Sequence, residues 1–147
     1  MAFRDRFRSI FQVKDTPHKI AAAFAFGVFI GISPIIGFHT ISAFFLAWLF
    51  GLNRLIAIAG VYITNPWTAV PIYTFCLWVG AKLTGIKDIL PEVDWNHVTF
   101  MSLIDKLTPL VWPFVVGTFL VGTIGSIISY FIIYNAALRY NKIRDGA

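Results

Sequence analysis

The fold depends on an apolar stretch that glycine and proline interrupt, GVFIGISPIIG at residues 27–37. It lies inside a longer segment, residues 20–53, that contains no Asp, Glu, Lys or Arg. As one helix, residues 20–50 would be roughly 46 Å long, well beyond the ~30 Å hydrocarbon core of a bilayer. Two full crossings would need about 40 residues and a turn. We therefore predict a re-entrant helical hairpin over residues 20–53, with two short, distorted spans as the alternative.

The rest of the chain is also rich in apolar sequence. Residues 55–81 and 107–138 again contain no charged residue, and each segment is longer than the ~20 residues that cross a bilayer. Charged residues make up 13% of the 147 residues, against about 25% in a typical globular protein. A soluble domain of this length could not cover so much apolar surface, and a disordered chain would be polar. The composition indicates an all-α integral membrane protein.

We predict a single membrane domain over residues 17–138. An amphipathic basic helix precedes it at residues 1–16, where Phe3 and Phe7 recur among arginines at helical spacing. After the hairpin come a broken transmembrane helix (55–81), a polar loop (82–106), a C-terminal transmembrane helix (107–138) and a basic tail (139–147).

Four pairs of a hydroxyl or amide residue followed by proline predict where helices begin. Such a pair suits an N-cap followed by the first helical residue, where the missing N–H of proline costs nothing. The predicted helix starts are near residues 17, 34, 66 and 109. The strings GVFI (27–30) and GVYI (60–63) precede the breaks at 31–37 and 64–66, at an offset of 33 residues. This match permits an internal duplication, but such residues are also common in membrane helices.

The charge distribution predicts the orientation. Five of the twelve basic residues lie in the first nineteen positions and three in the last nine, which is typical of cytoplasmic ends flanking membrane segments. We therefore expect a multi-pass protein with both termini in the cytoplasm. The formal net charge of +5 is not gathered into a basic groove, so we do not expect nucleic-acid binding.

Residues 25–40, AFGVFIGISPIIGFHT, followed by Leu52-Asn53-Arg54 and Asn65-Pro66, resemble a bacterial membrane-protein family known as domain of unknown function 2062 (DUF2062). The resemblance covers residues 15–135. It implies the bacterial inner membrane. Some members carry the domain beside a lipid-linked glycosyltransferase, which makes lipid-linked substrates more plausible here.

The residue types within the charge-free segments restrict the chemistry. No carboxylate lies in any of them, which disfavours acid–base catalysis and proton-coupled transport. His39 is the histidine of these segments, and the chain has one cysteine, Cys76. We therefore expect a protein that is not an enzyme and that needs no metal or cofactor.

The interrupted segments predict a binding site for an anion. Helices that begin at Ser33-Pro34 and Asn65-Pro66 would point free N–H groups and the positive end of the helix dipole into the membrane. Paired interrupted segments are the sequence feature that best indicates a transport site. The alternative is that the same residues only cap helices, shape turns or anchor the chain at the interface. The predicted substrate-binding residues are Ser33, Pro34, Gly37, His39, Asn53, Arg54, Asn65 and Pro66.

Small residues also recur on one side of the C-terminal helix and predict close helix packing. The packed helix could belong to the same chain or to a second subunit. These residues are Thr118, Gly122, Gly125, Ser126 and Ser129.

Two functions remain open from the sequence. The first is binding or translocation of an anionic substrate, such as a lipid-linked phosphate, by a homo-oligomer in contact with anionic lipid headgroups. The alternative is a non-transporting scaffold or accessory subunit that docks a membrane enzyme of a lipid-linked glycosyltransferase system.

Overall fold

The computed structural model describes residues 15–35, 37–89 and 95–146. Helices account for most of these residues, and the described part of the chain has no strand, which confirms the all-α prediction for it. The predicted N-terminal amphipathic helix lies almost wholly outside the described residues. The helices are α1 (Pro17–Ile32), α2 (His39–Leu49), α3 (Arg54–Val61), α4 (Pro66–Thr84) and α5 (Phe100–Asp145).

Helix α1 occupies the centre of the structure and packs against α2, α3 and α5. It begins where Thr16 caps the backbone N–H of Lys19 and Pro17 takes the first helical position. Alanine and glycine face its neighbours, so helix backbones approach closely. The buried small residues of α1 are Ala21, Ala23, Ala25, Gly27 and Gly31.

The contacts between helices give their relative directions. Gly27 lies against Ala57 and Gly31 lies against Val61, so α1 and α3 run in the same direction. Helix α5 runs opposite to α1, because Phe29 meets Phe119 while Ala25, earlier in α1, meets Ser126, later in α5. Helices α4 and α5 are antiparallel, because Gly80 lies against Pro113 while Cys76, earlier in α4, lies against Gly117, later in α5.

Among the described residues, one helix is long and apolar enough to cross a membrane, the 46-residue α5. Helices α3 and α4 meet the same criterion only together, as a pair bent by 72° at the break between them. The other two apolar helices, α1 and α2, are shorter.

The structure confirms helix starts at Pro17 and Pro66 and corrects the other two. Helix α2 begins at His39 rather than near residue 34, because Gly37 has φ +87°, a left-handed conformation that no helix can contain. Helix α5 begins at Phe100 rather than near residue 109 and runs through Pro109. Its start is set by a capping box in which Thr99 and Ser102 each bind the backbone of the other. The connection between α4 and α5 is correspondingly shorter than the predicted polar loop of residues 82–106.

Candidate functional site

The two helix breaks lie side by side. We call them the paired breaks: the described residues between Ile32 and His39 (33–35, 37 and 38), and those between Val61 and Pro66. Because α1 and α3 are parallel, their C-terminal ends meet. A Cβ built on Gly31 would lie 3.0 Å from the carbonyl oxygen of Val61 and 3.3 Å from Oγ1 of Thr64. The fold therefore brings together two interruptions that are about 30 residues apart in the sequence.

Ser33 ends α1 instead of starting α2. Its backbone N–H donates to the carbonyl oxygens of Phe29 (3.0 Å) and Ile30 (3.2 Å), and its hydroxyl donates to Ile30 at 2.6 Å. The next residue, Pro34, is exposed, as is Gly37, which has open space where a Cβ would stand. These residues shape the turn between α1 and α2.

His39 is the first residue of α2 and links three helices. Its Nε2 lies 3.1 Å from the carbonyl oxygen of Ser33 and 3.1 Å from the hydroxyl of Tyr73 on α4. The Tyr73 hydroxyl is also 3.3 Å from the carbonyl oxygen of Gly31. A carbonyl oxygen can only accept, so Nε2 carries a hydrogen that it donates to Ser33. The Tyr73 hydroxyl can accept only a share of that same hydrogen, and it donates its own hydrogen to Gly31.

The two helices that leave the paired breaks differ in how their first turns are capped. At α4, Asn65 Oδ1 accepts the N–H groups of Trp67 and Thr68, both at 3.0 Å, and Thr68 Oγ1 accepts the N–H of Asn65 at 2.9 Å. Pro66 has no N–H, so the chain itself satisfies this helix end. At α2, the cap residue Phe38 makes no side-chain hydrogen bond. Of the two predicted anion sites, α2 is thus the one whose first turn has no side-chain cap.

Asn53 and Arg54 lie at the start of α3, the end opposite to Thr64. Asn53 Oδ1 accepts the N–H groups that follow it in the first turn, and its Nδ2 donates to Asp15 at 3.3 Å. Arg54 is exposed, and its guanidinium carbon lies 5.2 Å from the centre of the Phe44 ring. Eight residues of helix separate these side chains from the breaks by about 12 Å. The structure therefore does not bring them to His39.

The small-residue face of α5 packs inside the chain, against α1. Cβ atoms built on Gly122 and Gly125 would contact Ile32 at 3.6 and 3.4 Å, and the hydroxyl of Ser126 donates to the carbonyl oxygen of Ala25 at 2.9 Å. Thr118 is fully buried and Ser129 is half-buried. The sequence left open whether this face packs against the same chain or a second subunit. In the structure it packs against α1 of the same chain.

Sequence reasoning missed two hydroxyl groups at the paired breaks. Tyr73 is described above, and Oγ1 of Thr64 is buried without a hydrogen-bond partner among the described residues. The available signal was a polar side chain within a charge-free segment, directly before Asn65 for Thr64 and about two helical turns beyond it for Tyr73. Neither position matches a capping or proline pattern, so the sequence did not predict a role for either hydroxyl at the site.

An apolar cavity of about 540 Å³ opens between α4 and α5, next to the paired breaks. Ile32 and Ile72 form part of its wall, and their chain neighbours Ser33 and Tyr73 belong to the polar contacts around His39. All side chains that line it are apolar, so it suits hydrocarbon rather than a charged group. The described parts of the chain contain no group of three His, Cys, Asp or Glu residues that could hold a metal ion.

Comparison with known proteins matches residues 1–145 to a family model described as an uncharacterized protein conserved in bacteria (DUF2062). Searches of curated proteins and of solved structures found no match. The match extends over almost the whole chain and includes both helix breaks. This chain belongs to the DUF2062 family.

Proposed function

We propose that this protein resides in the bacterial inner membrane, with both termini in the cytoplasm, and binds or translocates an anionic lipid at the paired breaks. The observation that carries the proposal is the position of the two breaks side by side, with Tyr73 bridging Gly31 and His39. Discontinuous helices that meet in this way form the substrate sites of many membrane transporters. Irregular backbone at membrane depth is tolerated where protein covers it or where it lines a cavity.

The chemistry of the α2 end favours an anion. The first turn of α2 has no side-chain cap, and the positive end of its dipole attracts negative charge. His39, the first residue of α2, stands at this end. By contrast, Asn65 and Thr68 already occupy the first turn of α4. The headgroup position that we propose is therefore at His39 rather than at Asn65.

The apolar cavity supports a lipid over a free anion. Its wall includes Ile32, the last residue before the first break, and Ile72, the chain neighbour of Tyr73, so a molecule could place its headgroup at His39 and its hydrocarbon chain between α4 and α5. A lipid-linked phosphate has this combination of groups. The described residues contain at most two long spans, and a pathway through the membrane would require several copies, so we propose a homo-oligomer.

The alternative function is a scaffold for a membrane enzyme, which would dock on the small-residue face of α5. The small-residue face of α5 is occupied by α1 through Gly122, Gly125 and Ser126. A partner would have to use a different face, and no described contact favours one.

Native mass spectrometry of the detergent-purified protein tests the proposal. We expect retention of phosphatidylglycerol in preference to phosphatidylcholine, and a loss of that preference in His39→Ala. Tyr140→Phe, an exposed substitution far along α5, is a matched control that should bind as the wild type does. Equal retention of both lipids by the wild type, or an unchanged preference in His39→Ala, would refute it.

A further inference from the structure

The C-terminal ends of α1 and α3 meet side by side at the paired breaks. Because Gly31 has no side chain, the end of α3 approaches the backbone of α1, and a Cβ built on Gly31 would lie 3.0 Å from the carbonyl oxygen of Val61. The C-terminus of a helix carries about half an elementary negative charge on its carbonyl oxygens. Two such ends in contact repel each other, so this junction favours positive charge.

The helices themselves supply no such charge. Lys, Arg or His side chains in the last turn commonly offset the dipole of a helix. The last turns of α1 and α3, both described in full, contain no basic residue. The sequence has no Lys or Arg from residue 20 to 53, from 55 to 81 or from 107 to 138. The N–H groups that open α4 are already bound by Asn65, so they do not neutralise the carbonyl oxygens either.

Thr64 supplies an independent observation at the same place. Its Oγ1 lies 3.3 Å from the Cβ built on Gly31, is buried, and has no hydrogen-bond partner among the described residues. A buried hydroxyl without a partner is costly, and native proteins satisfy nearly all such groups with protein, water or an ion. Since a hydroxyl oxygen and a carbonyl oxygen can both coordinate a cation, Thr64 and Val61 indicate the same kind of ligand.

We propose that a monovalent alkali-metal cation, for which Na⁺ is the probe, binds between the C-terminal ends of α1 and α3. Oγ1 of Thr64 is its side-chain ligand, and carbonyl oxygens of the two helix ends, that of Val61 among them, complete the site. Half-helix C-termini and unwound backbone carbonyls coordinate Na⁺ in membrane transporters. The proposal goes beyond the proposed function and does not depend on it.

The donor set favours a monovalent ion over Ca²⁺ or Mg²⁺. Those divalent ions are bound through carboxylates, and residues 20–53 and 55–81 contain none. A site of neutral hydroxyl and carbonyl oxygens also differs in kind from the groups of His, Cys, Asp and Glu that the described residues lack.

Direct binding to the wild-type protein is the first test and requires no variant. The detergent-purified full chain should bind ²²Na⁺ with a stoichiometry of one ion per chain in a scintillation proximity measurement. Unlabelled Na⁺ should displace the bound isotope, and choline should not. Absence of displaceable binding would overturn the inference without touching the proposed function. Loss of the preference for phosphatidylglycerol, with Na⁺ binding intact, would refute only the proposed function.

Substitutions at Thr64 identify the side-chain ligand. Thr64→Val keeps the shape of the side chain but lacks the oxygen, whereas Thr64→Ser keeps the hydroxyl. Replacing choline chloride by equimolar NaCl should raise the melting temperature of the wild type and of Thr64→Ser by about 2–4 °C. Thr64→Val should show no such increase. Thr84→Val is the matched control and should respond as the wild type does, because Thr84 is also half-buried but bonds to Gly80 at the far end of α4.

Stability in choline chloride separates a ligand from a merely structural residue. Thr64→Val removes a buried hydroxyl that has no partner in the ion-free protein, so it should melt at or above the wild-type temperature. Thr84→Val loses a hydrogen bond and should melt lower in both salts. A Na⁺ response that survives in Thr64→Val, or an equal loss of stability in both salts for that variant, would show that Thr64 does not bind the ion.

Discussion

Gly27 and Gly60 face each other where α1 crosses α3, and each lies against the carbonyl oxygen of the residue three positions before the other. A Cβ built on Gly27 would lie 1.9 Å from the oxygen of Ala57, and one on Gly60 would lie 2.3 Å from the oxygen of Phe24. The crossing is therefore locally symmetric. These glycines begin the matching strings GVFI and GVYI, so the similarity between the two strings corresponds to one shared contact.

Alanine at either glycine should destabilise the protein strongly. The added methyl group would overlap backbone atoms, which cannot rotate away as a side chain can, so α1 and α3 must separate. We expect Gly27→Ala and Gly60→Ala each to lower the free energy of unfolding by about 1–3 kcal/mol, measured by SDS titration with circular dichroism.

Gly122→Ala is the control for this prediction. Its Cβ would lie 3.5 Å from a Phe29 ring carbon, an ordinary contact, so the unfolding free energy should change little. Equal effects at all three positions would mean that the α1–α3 crossing is not as close as described.

At Gly37 glycine is needed for its backbone conformation and not for close packing. A Cβ built there would meet no atom within 4 Å, but the backbone is left-handed. At φ +87°, an L-residue with a Cβ costs about 1–2 kcal/mol. Gly37→Ala should therefore lower the unfolding free energy by about that amount, and Gly37→Asn by less, since asparagine adopts this conformation more readily. The same titration measures both, and an equal cost for alanine and asparagine would contradict this explanation.

The contact between Ser126 and Ala25 predicts a smaller effect. Ser126→Ala removes one hydrogen bond between α5 and α1 and should cost about 0.6 kcal/mol, up to ~1.7 kcal/mol. Ser129→Ala, on the same half-buried face, should be neutral, because the hydroxyl of Ser129 makes no hydrogen bond with any residue that the structure describes. Identical melting temperatures for the two variants would show that the Ser126 bond contributes nothing.

The sequence predicted the interrupted character of the fold and the location of both breaks, because glycine and proline act on the local backbone. Local chemistry also predicted the helix starts at Pro17 and Pro66. It failed at residue 34, where the left-handed Gly37 delays α2, and at residue 109, where α5 runs through proline. In both places the helix start depends on residues outside the Ser33-Pro34 or Thr108-Pro109 pair from which it was predicted.

The candidate site was less accessible to sequence reasoning. Asn53, Asn65 and Ser33 were recognised as polar positions, yet each uses its side-chain oxygen on nearby backbone. The contact of Tyr73 with His39 joins residues 34 positions apart, and the chain between them passes through α3 and the 72° bend that separates α3 from α4. No local pattern encodes that bend, so it could not be foreseen.

Asn65 provides a test that separates a structural role from contact with an anion. Asn65→Ala removes the acceptor of two N–H groups and should cost about 1 kcal/mol of stability. Asn65→Asp keeps the acceptor, and aspartate is as good an N-cap as asparagine, so stability should be preserved. Its negative charge would stand at the second break, where it should repel an anion bound at His39. We therefore expect normal thermal stability but weaker phosphatidylglycerol retention in Asn65→Asp. Full retention at wild-type stability would indicate that no anion binds near the second break, and that Asn65 serves only to begin α4.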